Sequence, residues 1–352
     1  MKVYVIPADA HGCGHYRLIW PANVLQKQGH DIAVIPPKKG QGFIAKTTMG
    51  PNGQEILTSV QMPGDMDVVV IQRPCHPLQP QLIDILRQNG VAVIVDMDDD
   101  MSNIHRENAA FHIYNPRSNS PFSWKFALES CKRATLVTTS TPELLRIYAR
   151  HGRGMVLNNY VPKAYLDFDK DETGCFGWAG NTKSHPDDLQ VTGKAVGQLM
   201  QEGHEFRVVG GDSKVRHALR LPEDPVMTGA TGVADWTRTI ADTFDVGMVP
   251  LAATAFNASK SRLKGIEMMA VGIPWVASPR AEYRTLHRES GCGLLAESSK
   301  DWYSQLKLLL TDHVLRGEQA AKGKAYMEDQ TYEANAWRWL EAWTRAYETE
   351  HQ

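Results

Sequence analysis

The sequence has no run of eighteen apolar residues, no paired Cys-x-x-Cys spacing, no repeat of solenoid period, no low-complexity tract and no excess of either charge. Each absence removes a class of protein. Without an apolar run long enough to cross a hydrocarbon layer, an integral membrane protein is excluded. The five cysteines (Cys13, Cys75, Cys131, Cys175, Cys292) are odd in number and far apart, so neither a disulfide framework nor a zinc site is expected. With 38 Lys and Arg against 40 Asp and Glu, the net charge of -2 gives no whole-protein field towards nucleic acid or an anionic membrane. Any such contact has to be local. The opening Met1-Lys2-Val3-Tyr4-Val5-Ile6-Pro7 has too short an apolar stretch for a secretory signal and reads as a first buried strand, which points to the cytoplasm.

What is present is an ordinary globular composition, 42% apolar and 22% charged, in 352 residues, more than one core usually organises. Short apolar runs alternate with amphipathic stretches, the rhythm of parallel strands joined by crossover helices. Runs at 3–6, 32–35, 68–71, 91–95 and 136–139 read as strands, with helical patterns at 18–28, 80–88, 122–133 and 142–150. Residues 38–65 are rich in Gly, Lys and Pro and read as a loop or small hairpin insertion. A second series of strands follows at 176–179, 206–209, 226–228, 246–250, 275–278 and 293–295. The chain is helical by pattern from Lys300, and Trp337, Trp339, Leu340 and Trp343 make its last helix apolar enough to require docking. The expected organisation is an N-terminal domain over 1–163, a linker over 164–174, a second domain over 175–330 and a terminal helix over 331–352 crossing back to the first domain.

Four segments suggest chemistry. In the stretch 245–278, a strand, an Asn/Ser-rich loop and a helix follow one another, with Asn257 in the loop, Ser259 as expected N-cap and Lys260 and Lys264 spaced to share one helix face. A helix N-terminus with two lysines favours an anion, although a plain βαβ unit with a lysine-lined face gives the same periodicity. Phe176-Gly177-Trp178-Ala179-Gly180-Asn181-Thr182-Lys183 is a strand running into a small-residue loop, where Gly180 permits close backbone approach and Lys183 supplies a point charge. Gly12-Cys13-Gly14-His15-Tyr16-Arg17 follows the first strand and offers backbone N–H groups to phosphate or sugar oxygens, or else is a tight turn with solvated side chains. Its spacing is not the dinucleotide G-x-G-x-x-G, and neither that fingerprint nor Tyr-x-x-x-Lys is found where a nicotinamide or epimerase enzyme needs it. Finally, Asp96-Met97-Asp98-Asp99-Asp100 lies at a strand end, where open parallel sheets bind ligands. Three readings stay open for it: a base or acceptor-hydroxyl partner (Asp98, Asp99, with His105 near by), a D-x-D metal site, or an acidic helix N-terminus.

The stretch 245–278 and the loop at 176–183 resemble the sugar-nucleotide half of retaining GT-B glycosyltransferases. Glu267-Met268-Met269-Ala270-Val271-Gly272-Ile273-Pro274 is similar to that family's E-x-x-A-x-G-x-P, whereas the earlier glutamate of its E-x7-E pattern is replaced by Ser259. The resemblance implies an α/β fold of two Rossmann-like, doubly wound domains facing across a cleft. It also implies a nucleoside-diphosphate sugar donor, with UDP-sugar the expected one, and no required metal. By the same resemblance Lys183 meets the diphosphate, Glu267 the nucleotide ribose, and Gly12, Gly14, His15 and Arg17 line the cleft. Sugar transfer to a hydroxyl would retain configuration by same-face attack helped by the leaving phosphate. The acidic run is similar to that of virus-encoded members, for which the location would be a host cytoplasm.

The segment 106–133 interleaves Arg106, Arg117, Lys125, Lys132 and Arg133 with Phe111, His112, Tyr114, Phe122, Trp124 and Phe126. That mixture suits stacking on bases and phosphate contacts, and equally a packed helix with a solvated face. The expected acceptor is a 5-hydroxymethylpyrimidine in DNA. A virion protein, an envelope polysaccharide or lipid, and a non-catalytic sugar-nucleotide- or DNA-binding protein are the alternatives.

Overall fold

The computed structural model describes residues 1–36, 43–280 and 282–352. They divide into two compact units. Met1–Arg106, Ala110–Asn159 and Tyr332–Gln352 form the first, Glu107–Ala109 and Tyr160–Thr331 the second. The segment 164–174, expected as a linker, is part of the second unit because its polar groups are used there. The Tyr165 hydroxyl donates to the Val233 carbonyl at 3.1 Å, and the Thr173 and Gly174 N–H groups donate to the Asp245 carboxylate at 2.8 and 2.5 Å.

The first unit contains β1 (Val3–Ile6), β2 (Ile32–Val34), a hairpin of β3 (Ile44–Met49) and β4 (Glu55–Gln61), then β5 (Val68–Gln72), β6 (Ala92–Met97), β7 (Leu136–Thr139) and β8 (Gly154–Val156). Its main sheet is parallel, in the order β2-β1-β5-β6-β7-β8. Strands buried on both faces need continuous apolar runs, and Val68 to Ile71 and Ala92 to Val95 supply them. The hairpin accounts for most of the insertion expected at 38–65, of which 38–42 lie outside the described residues. Strand β8 had no sequence signal; three residues at a sheet edge carry too little pattern.

The helix expected from residue 18 begins earlier and differently. A single turn at Gly12–Gly14 leads into a π-helical segment, His15–Ile19, and then the α-helix Trp20–Lys27. The wider turn buries Tyr16, Arg17 and Leu18 in succession. The last helix, Trp337–Glu350, packs in this same unit through Trp339, Ala342, Trp343 and Ala346, a stripe of helical period, while Trp337 is half exposed. Trp339 Nε1 donates to the Arg17 carbonyl at 2.8 Å, and Arg87 pairs with Glu350 at 2.8 Å.

The second unit contains β9 (Phe176–Gly180), β10 (Phe206–Gly210), β11 (Val226–Thr228), β12 (Val246–Val249), β13 (Trp275–Ala277) and β14 (Leu294–Leu295), all parallel in the order β11-β10-β9-β12-β13-β14. Phe176, Trp178, Phe206, Leu199, Trp302 and Leu306 fill its core. Strand order reverses between β9 and β12, so their carboxyl ends splay apart and leave the crevice in which such sheets take ligands. The corresponding reversal in the first unit lies between β1 and β5. No helix among the described residues is long and apolar enough to cross a membrane.

Candidate functional site

At the β9/β12 reversal, the chain leaves β9 through Gly180 and turns through Asn181, Thr182 and Lys183. A side chain at Gly180 would meet the Trp178 ring at 2.7 Å and Lys264 Nζ at 3.0 Å, so glycine is required by close approach. The same holds at Gly210, where φ is 80° and a Cβ would fall 2.7 Å from the Gly180 carbonyl oxygen. Asn181 Oδ1 accepts from the Lys183 N–H at 2.8 Å and the Thr182 hydroxyl donates to Asp212 at 2.5 Å, which closes the turn. Lys183 itself is exposed. Its carbonyl accepts from the Ala109 N–H at 3.1 Å.

Lys264, on the helix Leu263–Ala270, reaches back over this turn. Its Nζ lies 5.2 Å from the Trp178 ring centre and 3.4 Å from His185 Nε2, and no carboxylate among the described residues lies within ion-pair distance. His185 Nδ1 lies 2.7 Å from Asp188 Oδ2. Asp188 Oδ1 accepts from the Ala252 N–H at 2.9 Å and from Asn257 Nδ2 at 2.6 Å. Burial first, and then the Lys264 charge, lower the His185 imidazole to about 4, so the ring is neutral at pH 7. A neutral ring bonded to a carboxylate donates from Nδ1 and turns the Nε2 lone pair to the lysine. Burial also lowers the Lys264 amine, to about 8, against the pull of Asp188. Asp188 stays below its usual range: burial opposes its charge, but the His185 and Ala252 hydrogen bonds and the lysine outweigh it.

Several expected roles change here. Ser259 does not cap a helix at Lys260, because a short helix Ala255–Ala258 intervenes, capped by Thr254, and the Ser259 hydroxyl donates to the Phe256 carbonyl at 2.8 Å. The next helix starts at Leu263. Lys260 therefore precedes it, with Nζ 4.3 Å from the Phe256 ring centre, and helical spacing to Lys264 does not apply. The amide donors of Asn257 go to Asp188 and to the Ala252 carbonyl at 3.0 Å, which makes it a brace of the loop rather than a phosphate ligand. Glu267 is buried on the helix that carries Lys264. Sequence reasoning stopped at Lys183 and missed His185 and Asp188. Their i, i+3 spacing behind a glycine loop was the available signal.

In the first unit the glycine turn is closed on itself. Asp9 Oδ1 accepts from the N–H groups of His11 and Gly14 at 2.9 Å each, and a Cβ at Gly14 would fall 1.9 Å from the Asp9 carbonyl oxygen. Gly12 has open space around it. His15 Nδ1 bonds the His11 carbonyl at 2.8 Å. Arg17, expected to face a ligand, is fully buried instead. It grips Asp96 with Nε and Nη2 at 3.0 and 2.8 Å and donates from Nη1 to Leu157 and Asn159. The π-turn rotates it inward, and its charge is spent on the core.

The acidic run separates by role. Asp96 holds Arg17 and the Thr138 hydroxyl, and Asp100 caps the 3-10 turn Met101–Asn103 through the Ser102 N–H. Asp98 pairs through both oxygens with Arg73, which also reaches Asp99 at 3.1 Å. Arg73 sits at φ 49°, a conformation that costs a side-chain-bearing residue about 1 kcal/mol. Burial raises the Asp98 carboxyl although Arg73 opposes it, while Arg73 is held well above its usual value by Asp98 and its neighbours despite burial. Asp99 is the more accessible carboxylate of the two. His105 is half-buried, two residues beyond the end of the Met101–Asn103 turn. Among the described residues no group of three or more His, Cys, Asp or Glu is placed to hold a metal. Further along, Arg106, Phe111, His112, Asn115 and Arg117 line a cavity of about 350 Å³.

Residues 174–312, which span β9 to β14, match the family model of glycosyl transferases group 1. No curated protein sequence matches the chain. Among solved structures, sucrose-phosphate synthase from Thermosynechococcus elongatus is similar with a TM-score of 0.63 at 13% identity, over 99% of this chain and 100% of that one. An alpha-glucosyltransferase in complex with UDP and a 13-mer DNA gives 0.63 at 13% identity, over 97% and 98%. Anabaena HepE in complex with UDP gives 0.61 at 12% identity, over 97% and 99%. A GT-B fold along the whole chain and a group 1 match across its second sheet together make this protein a glycosyltransferase.

Proposed function

We propose that the second unit holds a nucleoside-diphosphate sugar, UDP-sugar in the first instance, and that the enzyme passes the sugar to a hydroxyl with retention of configuration. The observation that carries this reading is Lys264: a half-buried amine at the sheet's reversal point whose only polar partner among the described residues is a neutral imidazole. A desolvated cation with unspent donors favours an anion. When the sugar–phosphate bond breaks, negative charge grows on the departing diphosphate. Lys264, with Lys183 and Lys260, is the set of cations for it, and one preorganised donor in such a site contributes roughly 3–4 kcal/mol to the transition state. Glu267 is assigned to the ribose. The nucleophilic hydroxyl attacks the anomeric carbon from the face the phosphate leaves, and its proton passes to a phosphate oxygen.

For the acceptor we propose a 5-hydroxymethylpyrimidine in DNA, received by the first unit. The cavity lined by Arg106, Phe111, His112 and Arg117 supports it, since neither guanidinium has an ion-pair partner among the described residues and an aromatic ring stands beside them. Such a set suits a phosphate and a stacked base. The UDP- and DNA-bound alpha-glucosyltransferase among the structural neighbours points the same way. The net charge of -2 favours a second reading, transfer to a virion protein or an envelope glycan. Mass spectrometry of the full chain with a sugar-nucleotide panel, against hydroxymethylated DNA, ordinary DNA and no acceptor, separates these. A mass gain confined to hydroxymethylated DNA is expected. Transfer to none of these with slow donor hydrolysis would move the acceptor elsewhere, and absence of any turnover would overturn the enzyme reading.

A further inference from the structure

The Lys264 amine does not stand alone: its hydrogen-bonding partner and that partner's own anchor are two residues outside its helix, His185 and Asp188. Asp188 is 3% exposed and uses both carboxylate oxygens, one on the Ala252 N–H and the Asn257 amide, the other on His185. That single side chain ties the turn after β9 to the loop after β12. His185 lies between Asp188 and Lys264, its ring nearly perpendicular to that of Trp178 with 6.4 Å between centres. Because the first Asp188 oxygen is committed to two donors, the second can only accept, so the imidazole must donate from Nδ1. Nε2 is thereby left as a lone pair aimed at the amine, 3.4 Å away.

We infer that His185 and Asp188 are positioning residues, a relay that holds the Lys264 amine above the Trp178 ring where the donor's phosphates arrive; this rests on the donor-site reading above. The arrangement resembles the way an imidazole ligand is set by the carboxylate on its far nitrogen, a partnership whose loss typically costs 10–100-fold in affinity at metal sites. The amine keeps two N–H groups for the phosphates and gives one to the ring. Groups facing it are His185, Asp188, the Trp178 ring, Lys260 from the preceding turn and Glu267 from its own helix, while the Tyr283 phenol faces the backbone of Lys264 and Gly265. None of the acidic ones is in ion-pair contact with it, so geometry rather than a salt bridge keeps it in place.

The relay makes a prediction that simple packing does not. In Asp188→Asn, the oxygen has to stay with Ala252 and Asn257, so the amide nitrogen faces the ring. Nδ1 must then accept, and Nε2–H is turned against the ammonium. His185→Gln keeps an acceptor near the Nε2 position, whereas His185→Leu removes it. Calorimetric titration of the full chain with UDP, and with inorganic pyrophosphate as a base-independent probe, tests this. Asp188→Asn and His185→Leu should each weaken both probes about tenfold or more, and His185→Gln should stay within about threefold of wild type. Affinity should also fall as pH rises through about 8 while Lys264 loses its proton, and this break should move to lower pH in Asp188→Asn, which loses the carboxylate's support. Wild-type affinity and an unmoved break in both variants would overturn the relay. Should those variants fail to fold, long-range proton–nitrogen correlation on the wild-type protein decides the matter, because an Nε2–H tautomer at His185 contradicts it. Lys264→Met distinguishes the two levels: if it binds UDP and pyrophosphate as wild type does, the donor reading itself fails, and with it the relay.

Discussion

Asp99 and Arg17 show how much the surroundings of one side chain decide. Both came from motifs at strand ends, yet Asp99 retains accessible carboxylate surface, and Arg17 has none. If Asp99 is the hydrogen-bond partner that orients the acceptor hydroxyl, Asp99→Asn is expected to lower sugar transfer at least tenfold with UDP affinity unchanged, because it keeps the shape and removes the carboxylate's charge. Equal transfer rates in mass-spectrometric assays would return the acidic run to a structural role. Arg17→Met is expected to cost about 3–5 kcal/mol in denaturant unfolding, since it strands the Asp96 carboxylate in the core. A loss of donor affinity without a loss of stability would instead make Arg17 a ligand. The difference between these residues was not legible in sequence. Nothing in Gly14-His15-Tyr16-Arg17 announces a π-turn, and one extra residue per turn is enough to point the arginine inward. Lys264 was legible as a cation beside a sugar-nucleotide motif, but the imidazole and carboxylate that hold it were not, because their partners lie 79 and 69 residues away along the chain.

At the scale of elements, periodicity located most strands to within a residue or two: β7 and β11 fall on the expected positions, and β6 begins one residue late. Boundaries failed where capping depended on what came before. Ser259 looks like an N-cap only until Thr254 is seen to start a separate helical turn, which leaves Leu263 to open the longer helix. The terminal helix was readable as one that must dock, and its two buried tryptophans now divide. Trp339 donates its N–H to the Arg17 carbonyl, whereas Trp343 Nε1 is buried with no hydrogen-bond partner among the described residues. Trp339→Phe should therefore destabilise by about 1–3 kcal/mol more than Trp343→Phe, which gives up no hydrogen bond. Chemical denaturation of the two variants side by side reads the difference, and equal losses would mean that packing alone holds the helix.

For the whole molecule, the near balance of charge makes binding to a polyanion a local matter, which puts the weight on particular side chains. If DNA is the acceptor, replacing Arg106 and Arg117 together by Ala should weaken DNA binding several-fold and flatten its salt dependence by about two phosphate contacts, with UDP affinity untouched. An unchanged salt slope would remove that cavity from the acceptor path. By the same balance the proposed donor site depends on local cations, and the account turns on the half-buried Lys264 amine of the second unit. The most direct test is therefore the dissociation constant for UDP of wild type and Lys264→Met, measured by calorimetry at pH 7 with melting temperatures taken in parallel. A rise of about a hundredfold with little change in melting is the predicted result. Equal affinity in the two proteins would contradict it.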